Sequence, residues 1–266
     1  MDYITFNNGV KIPMVGFGTW NVRGQAGQEA IVTALKTGYR LIDTAQMYQN
    51  EKIVGEAIKQ SGIKREDLFI TTKLYRNCES YEKAKAGIHK SLQDLQLNYI
   101  DLLLIHEPYE TSLDMYEALK EAYQEGLVRA IGISNFNASQ YEDFIQSCGI
   151  IPAINQVESH VYFPRLELKK TLEKHETKMQ SWGPFTEGRR PIFKDPTLCE
   201  IAKKHHKTSA QIALKFLVQN GIAVIPKSVH EDRMKENFEI FDFSLDDSDL
   251  KRIAALDEHR SLFGWY

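Results

Sequence analysis

Short, mostly apolar runs alternate with amphipathic segments along most of the chain. Such runs are typical of parallel strands that are buried on both faces. Eight of them are found, at residues 15–17, 40–42, 68–70, 100–105, 130–133, 153–154, 178–180 and 222–225. Eight strand–helix units in a chain of 266 residues predict an α/β protein with the (β/α)8 TIM-barrel fold, for which about 250 residues suffice.

The segments between these runs carry apolar residues at helical spacing. Four apolar residues in the segment 30–35 would lie on one face of a first helix, as a period of 3.6 residues requires. Similar stripes occur at 54–58, 88–95 and 115–122. Near the end of the chain, residues 244–247 resemble a capping box that would begin one more helix.

The chain begins with the pattern of a β-hairpin. The strand-like segments 3–6 and 10–12 flank Asn7, Asn8 and Gly9, residue types that tolerate the positive φ angles of a tight turn. No Pro/Gly/Ser-rich linker follows, and the stretch 183–196 is expected to be a long loop. We therefore expect one domain that spans residues 1–266.

A doubly wound sheet is the main alternative fold. Such a sheet usually binds a dinucleotide through a Gly-rich turn after its first strand. Here Gly16 and Gly18 fit that turn, but Asn21 stands where the third glycine belongs. The barrel is therefore favoured.

Composition narrows the function classes. The 33 Lys and Arg residues nearly balance 36 Asp and Glu residues, for a net charge of −3, which argues against a broad basic surface for nucleic acid. The three cysteines form no C-x-x-C pair, so neither a disulfide framework nor a cysteine-based metal site is expected. With no signal-peptide pattern and no long apolar run, the expectation is a cytoplasmic protein that binds no membrane.

Polar residues follow seven of the eight predicted strands, and these strand ends would meet at one rim of a barrel, where barrel enzymes carry their chemistry. Taken singly, Asp43 could cap a turn, Lys73 could be a surface residue and His106 a core residue. Their convergence favours a functional site. The residues are Asp43, Tyr48, Thr71, Thr72, Lys73, His106, Glu107, Ser134, Asn135, Asn155, Gln156, Ser181, Trp182, Lys227 and Ser228.

Four of these side chains form a proton-donating set. A phenol normally titrates near 10, but the ammonium of Lys73, held by Asp43, would stabilise the phenolate and lower the pKa of Tyr48. Tyr48 would then be a general acid near neutral pH, while His106 orients a carbonyl oxygen. No serine or cysteine nucleophile is evident. The set therefore predicts protonation of an oxygen while a hydride from a cofactor attacks the carbon.

The last strand end predicts a phosphate site. Lys227 ends the strand, and a helix over 229–237 that contains Arg233 follows. The N–H groups at a helix start together with two cations can bind an anion, and barrel enzymes commonly hold phosphate at this place. The side chains suited to a nicotinamide ring and its amide are Trp182, Asn135 and Gln156.

Several sequence blocks are similar to those of the aldo-keto reductases. The blocks occur in order, and the similarity extends from the hairpin to about residue 257. The sequence of residues 181–184 (Ser-Trp-Gly-Pro) resembles small microbial members, such as the diketogluconate reductases, more than the mammalian ones. The blocks lie at residues 41–51, 65–74, 99–106, 131–136, 155–158 and 225–228.

The resemblance implies a barrel whose bottom is plugged by the hairpin, and a reaction in which NADPH reduces aldehydes and ketones to alcohols. NADPH would be preferred over NADH, no metal is needed, and a monomer is the common state of the family. The implied catalytic residues are Tyr48, Asp43, Lys73 and His106. The implied cofactor-binding residues are Gly18, Thr19, Trp20, Asp43, Ser134, Asn135, Gln156, Ser181, Trp182, Phe185, Lys227, Ser228, Val229, Arg233 and Asn237. The implied substrate-binding residues are Trp20, Tyr48, Tyr75, His106 and Glu107.

The chain departs from the family pattern near the expected substrate pocket. Glu107 and Tyr75 stand where many members carry tryptophan, and the tail after residue 257 is short. A carboxylate in the pocket wall predicts poor turnover of keto acids, and a short tail predicts an open pocket with loose specificity.

Two other functions remain open at this point. An aldolase or isomerase barrel could use Lys73 as a Schiff-base lysine. A protein that binds the cofactor without performing chemistry is the other, although the complete set of four candidate catalytic residues argues against it.

Overall fold

The structure is a computed structural model that describes residues 2–264. The strands are β1 Tyr3–Thr5, β2 Lys11–Pro13, β3 Phe17–Gly18, β4 Leu41–Asp43, β5 Phe69–Leu74, β6 Leu102–Ile105, β7 Ile131–Ser134, β8 Ile154–Glu158, β9 Lys178–Trp182 and β10 Ala223–Val224. The helices are α1 Gly24–Thr37, α2 Glu51–Ser61, α3 Tyr81–Leu95, α4 Ser112–Gln124, α5 Ala138–Ile145, α6 Leu166–Glu173, α7 Pro196–His205, α8 Ser209–Gln219, α9 Glu231–Phe238 and α10 Asp247–Ala254.

Strands β3 to β10 form one parallel sheet in which each strand pairs with its neighbours in chain order. The first and last strands also meet. Val15 and Val224 form a parallel bridge, the N–H of Gly16 donates to the carbonyl of Val224 at 2.8 Å, and the N–H of Val224 donates to Met14 at 2.8 Å. The predicted (β/α)8 barrel is therefore confirmed.

The alternation of side chains along the strands divides the core into two layers. In β6, Leu102 and Leu104 belong to the cluster inside the barrel, whereas Leu103 and Ile105 pack in the cluster between strands and helices. Because successive strand residues point to opposite faces, one apolar run supplies both layers. This explains why the buried strands lack the alternation of apolar and polar residues.

The N-terminal hairpin closes the bottom of the barrel. Strands β1 and β2 pair antiparallel, and Gly9 in the turn has φ = 84°. Phe6 and Ile12 are buried in the inner cluster, and the ring of Phe6 packs edge-to-face on Phe69, with centroids 6.3 Å apart. Since Phe69 begins β5, the hairpin lies opposite the polar rim.

Several strands end later than the sequence predicts. Strands β5, β8 and β9 continue to Leu74, Glu158 and Trp182, beyond the predicted ends at residues 70, 154 and 180. Their last residues include polar side chains whose backbones still belong to the sheet. Apolar runs stop at the first polar residue, so they underestimate strands that carry polar groups into a site.

The predicted bounds of the first and last barrel strands and the predicted start of the last helix also differ from the structure. Strand β3 begins at Phe17 and β10 covers Ala223–Val224, so both are shorter than the predicted runs. The capping box is formed by Asp246 and Asp249, with Asp246 accepting from the N–H of Asp249 at 2.9 Å. It is not formed by residues 244–247, because Leu245 is buried and its backbone bonds to Gln219.

The predicted loop at 183–196 contains two short 3₁₀ turns, at Thr186–Gly188 and Ile192–Lys194, before α7 begins. Within the described part of the chain, no helix has both the length and the apolar character needed to cross a bilayer.

Candidate active site

A buried ion pair lies at the carboxyl ends of β4 and β5. Asp43 is the last residue of β4, and Lys73 lies in β5. Lys73 Nζ is 2.5 Å from Asp43 Oδ1 and 2.9 Å from the carbonyl of Thr44, and both charged side chains are excluded from solvent. Burial lowers the pKa of Lys73, but Asp43 and Tyr48 outweigh that effect and raise it. Lys73 is therefore an ammonium ion.

Tyr48 lies next to this ion pair. It ends a 3₁₀ turn, Gln46–Tyr48, and its Oη is 3.5 Å from Lys73 Nζ. Burial raises the pKa of the Tyr48 phenol, and the Lys73 ammonium opposes this shift without reversing it. The predicted net lowering of the Tyr48 pKa is therefore wrong, because burial disfavours the charged phenolate more strongly than the Lys73 ammonium stabilises it.

His106 follows β6 and completes the group of four. Its ring packs edge-to-face on the ring of Tyr48, with centroids 5.8 Å apart. Burial, with a further contribution from Lys73, lowers the pKa of His106 well below its ordinary value of 6.5. The imidazole is therefore neutral at physiological pH and can donate one hydrogen bond while accepting another.

These residues lie at a cavity of about 470 Å³, which we call the catalytic cavity. Asp43, Tyr48 and His106 line it, and Trp20 packs against Tyr48 with ring centroids 5.0 Å apart. The other predicted site residues that line it are Gly18, Thr19, Ser134, Asn135, Gln156, Trp182, Phe185 and Lys227.

Amide side chains on neighbouring strands connect the ion pair to the aromatic wall. Gln156 Nε2 donates to Asp43 Oδ2 at 2.6 Å and to Gln180 Oε1 at 2.7 Å. Asn135 Oδ1 accepts from Trp182 Nε1 at 2.8 Å, and Asn135 Nδ2 donates to the carbonyl of His106 at 3.0 Å. These bonds fix the orientation of Asn135 and Trp182 at the cavity.

Comparison with known proteins identifies the family. Residues 14–258 match the model of the aldo/keto reductase family. The chain belongs to this family. It is an oxidoreductase that reduces carbonyl groups to alcohols, and the family generally uses a nicotinamide cofactor.

Relatives of known activity are similar over nearly their whole length. A glyoxal reductase of Bacillus subtilis (strain 168) is 40% identical over 97% of this chain and 93% of its own length. The methylglyoxal reductase DkgA of Escherichia coli (strain K12) is 38% identical over 97% and 94%. The crystal structure of MGS-M4, an aldo-keto reductase from a deep-sea metagenome library, matches with a TM-score of 0.95 and 39% identity over 98% and 97%. The predicted similarity to small microbial aldo-keto reductases is confirmed.

In this aldo/keto reductase, a second cavity of about 850 Å³ continues from the catalytic cavity. We call it the distal cavity. Phe185, Glu187 and Lys227 line both cavities. The predicted residues Ser228, Val229, Arg233 and Asn237 line the distal cavity alone.

The distal cavity and its connection suit an extended anionic cofactor. The side chains of Lys227 and Arg233 form no ion pair within residues 2–264, so their charges are available to a phosphate. Together with the polar amides and the indole of Trp182 in the catalytic cavity, they fit a dinucleotide that carries phosphate at one end and an aromatic amide at the other.

Three predicted residues have a different place from the one expected. Glu107 and Tyr75 do not line the catalytic cavity. Glu107 instead faces Arg76, whose guanidinium lies 3.7 Å from its carboxylate, and Tyr75 packs on His106 with ring centroids 5.7 Å apart. Ser181 is buried and donates to the carbonyl of Ser159 at 2.6 Å. The expected acidic wall is therefore not built by Glu107.

Besides Asp43, which is paired with Lys73, the acidic residue that the structure places at the catalytic cavity is Glu187. It lies in the first 3₁₀ turn of the loop after β9, where Thr186 and Glu187 have φ angles of 62° and 48°. Burial raises the pKa of Glu187, and Arg189 opposes that shift. Sequence patterns gave no signal for Glu187, because a loop residue in the left-handed region belongs to no periodic element.

Phe263, near the end of the chain, also lines the catalytic cavity. Its ring packs edge-to-face on Trp182 with centroids 5.0 Å apart, and the guanidinium carbon of Arg189 lies over the ring, 4.4 Å from its centroid. The expectation that the short tail leaves the pocket open is therefore corrected, since the tail reaches back to the aromatic wall.

Two further observations bear on the predicted chemistry. Gly18 has a packing role as well as a place in the wall, because an added Cβ would lie 2.8 Å from the carbonyl oxygen of Ile225. In the region that the structure covers, no group of three or more His, Cys, Asp or Glu side chains is placed to hold a metal ion.

Proposed function

We propose that the chain reduces aldehydes and ketones with NADPH, and that Tyr48 donates the proton to the carbonyl oxygen. The observation that carries the proposal is the placement of Tyr48 beside a buried ammonium at the wall of the catalytic cavity. The cofactor, when bound, would supply the hydride. NADH would be a weaker substitute.

The four polar side chains would divide the work of proton transfer. Because burial keeps the phenol of Tyr48 protonated, it can act as the acid. Lys73 would stabilise the phenolate that remains after transfer, and Asp43 would keep Lys73 charged and in place. His106, neutral in this structure, would hydrogen-bond to the carbonyl oxygen and orient it.

The described residues could hold the cofactor along both cavities. Ser134, Asn135 and Gln156 would bind the carboxamide end, with Trp182 against the ring. Lys227, Ser228, Val229, Arg233 and Asn237 would bind the adenosine end, where positive charge favours the 2′-phosphate of NADPH. Gly18, Thr19, Trp20 and Phe185 would contribute walls.

The substrate is proposed to be a small neutral carbonyl compound, with glyoxal and methylglyoxal as first candidates because relatives are named for reducing them. We also propose that residues 1–266 form one domain and that the protein is a cytoplasmic monomer. A Schiff base on Lys73 is disfavoured, since its Nζ is buried, charged and bonded to Asp43.

The test compares Tyr48→Phe with the wild type and with Tyr123→Phe, a matched change on α4 outside both cavities. We expect Tyr48→Phe to bind NADPH with unchanged affinity, measured by fluorescence titration, and to lose turnover of methylglyoxal by about 10²- to 10⁴-fold. Tyr123→Phe should match the wild type. Full activity of Tyr48→Phe would reject Tyr48 as the acid.

A further inference from the structure

The wall of the distal cavity carries an excess of positive charge. The excess is local, because the chain as a whole has a net charge of −3, and a locally positive concave surface attracts anions. The cations in the wall are Lys203, Lys207, Lys227 and Arg233, and the carboxylates are Glu187 and Glu236.

Lys203 reaches this cavity from a different element than the other cations. It lies in the last turn of α7, four residues after Cys199, which lines the same cavity. Residues four apart lie on one face of a helix, so this face of α7 forms a side of the cavity. Lys227 and Arg233, in contrast, come from the segment that follows β10 and from α9.

The charge of Lys203 is uncompensated, whereas its basic neighbours are paired. Lys204 Nζ lies 2.5 Å from Asp246 and 2.9 Å from Asp249, and His205 Nε2 lies 2.7 Å from Asp249. Lys207, the other basic residue on this side of the cavity, lies 2.6 Å from Asp242. The Lys203 ammonium forms no ion pair with any side chain in residues 2–264.

The position of Lys203 separates it from the part of the cofactor shared by NADH and NADPH. Lys227 lines both cavities, but Lys203 lines only the distal one. A dinucleotide that extends from the catalytic cavity would pass its pyrophosphate near the shared residues and place its adenosine end in the distal cavity.

We propose that Lys203 binds the 2′-phosphate of NADPH from the α7 side, together with Arg233 on α9, and thereby increases the preference for NADPH over NADH. This rests on the proposed function, because it requires the adenosine end to occupy the distal cavity. Lys203 acts in cofactor selection and takes no part in proton or hydride transfer.

The test measures dissociation constants for NADPH, NADH and 2′,5′-ADP by fluorescence titration or calorimetry at low salt, without any turnover assay. Lys203→Gln should weaken NADPH and 2′,5′-ADP by about twofold to fivefold, the range of one solvent-accessible charge pair, and leave NADH unchanged. Lys203→Arg should restore the preference. Lys204→Gln, one residue away but directed at α10, is the matched control and should behave like the wild type.

Equal weakening of NADPH and NADH by Lys203→Gln would overturn the proposal, since Lys203 would then act on a shared part of the cofactor or on the fold. Unchanged affinity for all three ligands would overturn it as well. A wild-type protein that binds NADPH no better than NADH, and does not bind 2′,5′-ADP, would instead reject the proposed NADPH site as a whole.

Discussion

Asp43 and Lys73 form an ion pair that is closed off from solvent, with Lys73 Nζ 2.5 Å from Asp43 Oδ1. Removing one partner of such a pair leaves a buried charge without compensation, which costs about 3–5 kcal/mol, whereas replacing both partners with uncharged groups costs less. The pair therefore supports the fold as well as the proposed proton transfer.

We predict that Asp43→Asn lowers the free energy of unfolding by about 3 kcal/mol or more, and that the double variant Asp43→Asn/Lys73→Met recovers part of this loss. Urea unfolding followed by circular dichroism measures both. The exposed pair Glu167–Lys170 is the control, since Glu167→Gln should change stability by less than about 1 kcal/mol. A double variant less stable than Asp43→Asn would show that the unpaired ammonium is not the main loss.

The lowered pKa of His106 predicts that the free energy of unfolding depends on pH. Its folded pKa lies well below the ordinary value of 6.5, so between these two values the unfolded chain binds more protons than the folded chain. The contribution of His106 is fully present above pH 6.5 and is lost as the pH falls toward the folded pKa, at a slope that approaches about 1.4 kcal/mol per pH unit.

The difference in unfolding free energy between the wild type and His106→Asn isolates this effect. We expect it to shift by about 1 kcal/mol or more in favour of the variant between pH 7 and pH 5, measured by urea unfolding at each pH. His89→Asn, which removes an exposed imidazole, is the matched control. A constant difference for His106→Asn would mean that the folded protein accommodates the charged imidazole.

The four side chains of the proposed catalytic group could be found from sequence because each member follows a buried apolar run or lies close behind one. Lys73 lies near the end of β5 and His106 directly follows β6, and parallel strands bring such ends to one rim. The same logic placed Asn135 and Gln156 correctly at the cavity. It could not locate Glu187 or Phe263, which reach the cavity from a loop with left-handed residues and from the tail.

Two neighbouring residues that follow a strand can point their side chains in different directions, and the sequence does not show which of them enters the site. Glu107 directly follows His106, yet its carboxylate faces Arg76 outside the catalytic cavity. The pKa of Tyr48 could not be judged either, since its direction depends on how far burial outweighs the Lys73 ammonium. Both depend on three-dimensional packing and not on residue type.

We therefore predict that Glu187 is the acidic residue that discriminates between anionic and neutral substrates. Glu187→Gln should lower the KM for pyruvate-like keto acids by about twofold to fivefold while leaving the KM of the corresponding methyl esters unchanged, because only the acid carries a carboxylate. Steady-state kinetics at alkaline pH, which favours the ionised form of a carboxyl whose pKa is raised by burial, measures this ratio. Glu107→Gln is the matched control, and an equal change in both variants would contradict the assignment.

Glu158 anchors the tail that carries Phe263. Its buried carboxylate accepts from Ser261 Oγ at 2.5 Å, from the N–H of Leu262 at 2.8 Å and contacts His160 Nε2 at 3.1 Å. Burial raises the pKa of Glu158, but these three hydrogen bonds outweigh it and lower the pKa below its ordinary value. The carboxylate is therefore ionised and holds the tail against the barrel.

We predict that Glu158→Met, which keeps the volume but removes all three acceptor contacts, releases the tail and withdraws Phe263 from Trp182. The KM for the carbonyl substrate should rise several-fold with little change in kcat, and trypsin should cleave after the exposed Arg260 faster than in the wild type, as followed by mass spectrometry. Phe263→Ala separates the two effects, because it removes the ring from the cavity wall while Glu158 still holds Ser261 and Leu262. Phe263→Ala should raise KM without accelerating cleavage. If Glu158→Met accelerates cleavage but does not raise KM, the tail does not form the substrate wall.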